Sequence, residues 1–107
     1  MTRTVDELLR EAMAHFEIML AHARNDTMDQ LVIDAVCLRL SAGLEVLSRL
    51  DPDLRHELFG DEWPMMWGMR NRIAHGYLLV DEAIVRRTLD ADMPVVLERI
   101  SRVLGTM

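Results

Sequence analysis

Between Met28 and Leu50 apolar side chains fall on more than one side of any helix drawn through them. Leu31, Val32, Ile33, Ala35, Val36, Cys37, Leu38, Leu40, Ala42, Leu44, Val46, Leu47 and Leu50 leave little of the circumference polar. A helix of this kind is central to its fold or touches a partner subunit, because one dry face would not cover it. Asn25-Asp26-Thr27 reads as the turn before this helix, and Thr27-x-x-Gln30 as its capping box. Cys37, the single cysteine, sits inside the run with no base nearby in sequence and reads as core filler, not as a nucleophile.

The flanking segments have the patterns of packing helices. Thr4-x-x-Glu7 is a capping box, and Val5, Leu8, Leu9, Ala12, Met13, Phe16, Met19, Leu20 and Ala23 follow at helical spacing. His15 and His22 would be ~10 Å apart along the axis, too far to share a metal. They read as solvated surface residues, as does His56 among Asp53, Arg55 and Glu57. Asp51-Pro52 stops the central helix and starts a short one that ends before Gly60. Pro64 is expected to open the next helix, where Trp63, Met66, Trp67, Arg70, Ala74 and Tyr77 recur at three and four. Asp81 is a plausible cap for a helix with Ile84, Val85 and Leu89, and Asp92-Met93-Pro94 is expected to break the chain. A last helix with Val96, Ile100 and Val103 ends at Gly105. These patterns predict an all-α, up-and-down bundle of five to six helices, one domain over residues 1–107.

A chain of 107 residues supports one core and gains from pairing with a second copy. No run approaches the ~18 apolar residues of a membrane span, the N-terminus is no signal peptide, and one cysteine suits a reducing compartment. A cytoplasmic protein without membrane contact is expected. A net charge of −6 argues against a general nucleic-acid coat protein. It leaves room for a local positive pocket that holds one phosphate. All 12 cations are arginines. There is no glycine-rich phosphate loop, metal-ligand cluster or internal repeat in the sequence, and no cofactor is expected.

A dense polar cluster inside an otherwise apolar pattern lies in Trp63-Pro64-Met65-Met66-Trp67-Gly68-Met69-Arg70-Asn71-Arg72-Ile73-Ala74-His75-Gly76-Tyr77. Arg-x4-His alone should occur by chance roughly 0.4 times in this composition. Arg10 and His15 are such a chance copy in an amphipathic helix. The second copy differs in its surroundings: Arg70-Asn71-x-x-x-His75-x-Tyr77, with Trp63-Pro64 upstream and Asp81 downstream.

These residues resemble the HEPN ribonucleases, and within them the HepT toxins of the HepT–MntA type. The family's Arg-x4-His-x-Tyr motif is intact as Arg70, His75 and Tyr77, with the usual Asn71 after the arginine. The resemblance extends over most of the chain, since a small all-helical protein with a late motif is the family's plan. Asp34-Ala35-Val36 and Glu45 look like the family's second helix, although its usual Gly-Glu is here Gly43-Leu44-Glu45. The resemblance implies a HEPN-like homodimer, RNA and not DNA as substrate, and an MntA-like minimal nucleotidyltransferase as antitoxin. It further implies that this partner attaches AMP to Tyr77.

Five residues along an ideal helix is a rotation of ~140°, so Arg70 and His75 do not point the same way. Either Gly76 loosens the helix near His75, or the pocket gathers groups from two subunits. The resemblance implies the second. Chemically the set suits metal-independent RNA cleavage. Histidine, the residue at position 75, is the side-chain type suited to taking the 2′-OH proton near neutrality. Arg70 can grip two oxygens of the phosphorane, Asn71 can orient His75 or a phosphate oxygen, and Arg72 adds field. A 2′,3′-cyclic phosphate and a 5′-hydroxyl end are the expected products. Tyr77 could instead simply extend the Trp63–Trp67 stripe. Likewise, the whole cluster could serve a non-catalytic helical module that binds a nucleotidyltransferase or its substrate.

Overall fold

Two long helices make the frame. α1 (Val5–Ala23) starts with the expected capping box: Thr4 Oγ accepts from the Glu7 amide at 3.1 Å, and the Glu7 carboxylate accepts from the Thr4 amide at 3.3 Å. α2 (Gln30–Leu47) is capped by Asp29, whose carboxylate accepts from the Val32 amide at 3.0 Å. The anticipated cap lay two residues earlier. Gln30 is not a capping-box partner, because its amide donates to Asp34 at 2.7 Å. The computed structural model describes residues 3–24, 28–75 and 80–105, so the Asn25–Thr27 turn lies outside the described residues.

α1 and α2 form an antiparallel pair with His15 opposite Arg39 and Phe16 opposite Gly43. A Cβ at position 43 would collide with the Phe16 ring, with Cζ at 2.7 Å and Cδ1 at 2.8 Å. The missing side chain is what lets a fully buried phenylalanine lie directly on the α2 backbone.

α3 (Pro52–Phe59) has the predicted ends. Asp51 accepts from the Asp53 amide at 2.9 Å, and Gly60 turns the chain at φ +53°. α4 (Glu62–His75) begins two residues before Pro64, which sits within the first turn, where a missing N–H breaks no helical bond. α5 (Glu82–Arg87) is capped by Asp81, which accepts from the Ile84 amide at 3.0 Å.

The expected break at Asp92-Met93-Pro94 does not occur. A π-helical segment over 88–92 carries α5 directly into α6 (Met93–Leu104). The physical reason is Pro94, whose ring would press on the carbonyl one turn back in a regular helix. The wider π turn, with the Met93 amide reaching the Thr88 carbonyl, accommodates that strain without ending the rod. Gly105 then closes α6 at φ +70°, as expected.

The result is all-helical, and no strand occurs among the described residues. α2 supplies Val36, Cys37, Leu40, Leu44 and Leu47 to a core completed by Phe16, Met19, Phe59, Met66, Val85, Met93 and Ile100. Its opposite face stays open, with Leu31 77% and Leu38 68% exposed. The reading of this helix as central therefore holds, and a second apolar strip of it is left exposed. Arg99 ties the last rod to the α3–α4 corner by donating to the Leu58 carbonyl at 3.1 Å. No described helix is long and apolar enough to cross a membrane.

The histidines of α1 differ from their reading as solvated residues. His15 is half-buried and its Nδ1 lies 3.3 Å from Arg39 Nη1, and His22 is half-buried too. His56 is exposed, as expected. Burial first, then the charge of Asp34, raises the Cys37 thiol to about 11, which suits an inert core residue.

Candidate active site

α4 is held to the bundle by a stacked column of side chains. Phe59 is fully buried, with its ring 6.3 Å from Trp63. Trp63 and Trp67, one turn apart on α4, stack at 5.5 Å with planes 21° apart. Arg55 lies on the middle residue of the column, its guanidinium 4.8 Å from a Trp63 ring while it donates to the Ser48 and Leu50 carbonyls. Arg70 closes the Trp67 end, 4.8 Å from that ring. The cation–π geometry lets both arginines pack on apolar surface.

Arg70 is thereby fixed on three sides. Its face lies on Trp67, its Nε and Nη2 both donate to Glu45 Oε1, and its Nη1 donates to Asn71 Oδ1 at 3.2 Å. The Nε bond to Glu45 is 2.8 Å long. A guanidinium has five N–H donors in a planar fork. Three are engaged here, and the two that remain are enough for one phosphate edge. The side chain is only 23% exposed, so the fork is oriented before any ligand arrives.

The other anticipated residues divide between two faces. Asn71 is exposed, and its Oδ1 accepts from Arg70 Nη1. Arg72 is exposed on the far side of α4, where it lines a groove against the 84–92 segment. His75 is exposed and is the last residue of α4. The helix is regular through His75, so Arg70 and His75 remain ~140° apart around it. Ala74 is also exposed, and the buried edge of α4 runs through Met66 and Met69 instead. Tyr77 and Gly76 lie outside the described residues.

Sequence reasoning did not give Glu45 its role, because nothing local marks a partner 25 positions away. Trp67 was visible only as part of an apolar stripe, although an arginine three residues after a tryptophan already places a cation beside a ring. The chance copy at Arg10 and His15 falls apart in the structure. Arg10 pairs with Asp6 at 2.7 Å, while His15 faces Arg39. Among the described residues no three His, Cys, Asp or Glu side chains converge as metal ligands.

A family profile described as Ribonuclease HepT-like matches residues 9–103, which is most of the chain. No curated protein and no solved structure matches.

Proposed function

Since the chain belongs to the HepT-like ribonuclease family, we propose that Arg70 and His75 form a metal-independent RNA-cleaving site in a cytoplasmic toxin. The observation that carries this reading is the orientation of Arg70, with three donors bound and two without a partner among the described residues. His75 takes the proton from the 2′-OH, the oxygen attacks the adjacent phosphorus, and the P–O5′ bond breaks as the leaving 5′-oxygen takes up a proton from water. Arg70 offsets the charge that builds on the phosphorane, with Asn71 holding its plane. The products are a 2′,3′-cyclic phosphate and a 5′-hydroxyl end.

One copy does not offer both groups to one phosphate, given the angle between them on a regular helix. We therefore assign the site to a homodimer in which Arg70 of one copy works with His75 of the other. The exposed Leu31 and Leu38 support this. Steps of seven place Leu31, Leu38 and Glu45 along one stripe of α2, drifting only ~20° per step. A partner lying on that apolar stripe reaches the Glu45–Arg70 pair.

Control follows from Tyr77, two residues past His75. A minimal nucleotidyltransferase of the MntA kind would attach AMP there: the tyrosine hydroxyl attacks the α-phosphate of ATP and pyrophosphate leaves. The added phosphate and bulk then oppose entry of RNA.

The test is cleavage of RNA in excess EDTA. Wild type should cut and leave cyclic-phosphate ends, and Arg70→Ala and His75→Ala should not. Arg70→Lys keeps the charge but loses the fork and should be slower by about a hundredfold. A requirement for a divalent ion, or activity that survives both alanine changes, would sink the mechanism.

A further inference from the structure

On the side of α4 away from Glu45, an open groove of about 480 Å³ separates the helix from the 84–92 segment. Met65, Gly68, Arg72, Ile84, Arg87 and Asp92 are among its lining residues. Neither Arg72 nor Arg87 forms an ion pair with a described residue, whereas Arg70, Arg86, Arg99 and Arg102 each face a carboxylate. Asp92 is the groove's single carboxylate, so the lining is net positive on a chain of net charge −6. The floor is clear at Gly68, where an added Cβ would meet nothing within 4 Å. Met65, 63% exposed, puts a thioether at the edge.

Met65, Gly68, Arg72 and His75 follow one another at three and four, so they share a face of α4. The groove thus leads toward His75 over about 15 Å of helix. We propose that it holds the single-stranded RNA next to the scissile phosphate, with Arg72 and Arg87 on successive backbone phosphates and a base over Met65. This rests on the ribonuclease reading above. Two guanidinium groups without an ion-pair partner among the described residues suit a polyanion, and a thioether makes favourable contacts with aromatic rings. The site thereby extends from one bond to a length of strand.

The test uses the full chain carrying His75→Ala, so that RNA is bound without being cut. Anisotropy of a labelled, short, mixed-sequence single-stranded oligoribonucleotide is followed across a salt series. Adding Arg72→Ala and Arg87→Ala together should weaken binding about tenfold or more at low salt. The slope of log affinity against log salt should flatten by about 1.4, or about 0.7 for each lost phosphate contact. Gly68→Glu should weaken binding too, with both arginines kept and the helix intact by circular dichroism.

If the parent binds RNA and these variants bind it equally with the same slope, the groove is not the RNA track and the ribonuclease reading stands. If wild type does not cut RNA and the parent does not bind it, both fall. Unchanged RNA binding with lost binding to a partner protein would make the groove a protein-docking surface and overturn the assignment.

Discussion

Arg70 and Arg10 stand in the same spacing to a histidine and have opposite fates. Arg10 makes an exposed pair with Asp6 one turn away, worth about 0.3–0.5 kcal/mol and free to reorient. Arg70 is confined by a ring, a carboxylate and an amide that come from two helices. Spacing made them alike; only the fold separates them. Tyr77 carries the prediction at this scale. Tyr77→Phe should remain close to fully active on RNA yet escape neutralisation by the proposed MntA-like nucleotidyltransferase and ATP. Intact-mass measurement should show added AMP on wild type only. Unchanged wild-type mass with complete inhibition would mean control by binding, and equal gain on Tyr77→Phe would place the acceptor elsewhere.

Among the elements, two glycines in helices give opposite predictions. At Gly43 an alanine would drive its Cβ into the Phe16 ring, which is fully buried and has no room to yield. Such overpacking costs about 1–3 kcal/mol, against about 1 kcal/mol gained in helix propensity. At Gly68 nothing opposes the gain. Urea titration should find Gly43→Ala less stable than wild type and Gly68→Ala more stable by up to about 1 kcal/mol. Shifts of the same sign would contradict the α1–α2 contact. Much of this level was legible in the sequence, because caps are local: Thr4, Asp51, Asp81, Gly60 and Gly105 all act where their residue types placed them. Pro94 was misleading because the 88–92 segment widens its turn to accommodate the ring and lets the rod continue, with Thr88, Leu89 and Met93 buried along it. The candidate site was legible in its residue types but not in its arrangement. Glu45 joins Arg70 only once α2 and α4 pack together, and Arg72 turns to a different wall.

For the whole molecule the open question of α2 becomes one of assembly. Val36, Leu40, Leu44 and Leu47 are fully or almost fully buried in this chain, while Leu31 and Leu38 project from it. A partner copy on that stripe would bury both and bring its own His75 toward Arg70. Leu31→Glu with Leu38→Glu leaves the buried face untouched. At micromolar concentration wild type should scatter light as a dimer, and the double variant should be a folded monomer with RNA cleavage lost. A wild-type monomer, or an active monomeric variant, would refute a shared site. The most direct measurement mixes Arg70→Ala and His75→Ala subunits, each inactive alone, and lets them exchange before RNA is added. In a two-fold dimer each mixed pair regains one intact Arg70–His75 site, so an equimolar mixture should recover about a quarter of wild-type activity. A mixture as inactive as its components would contradict a site built across two copies.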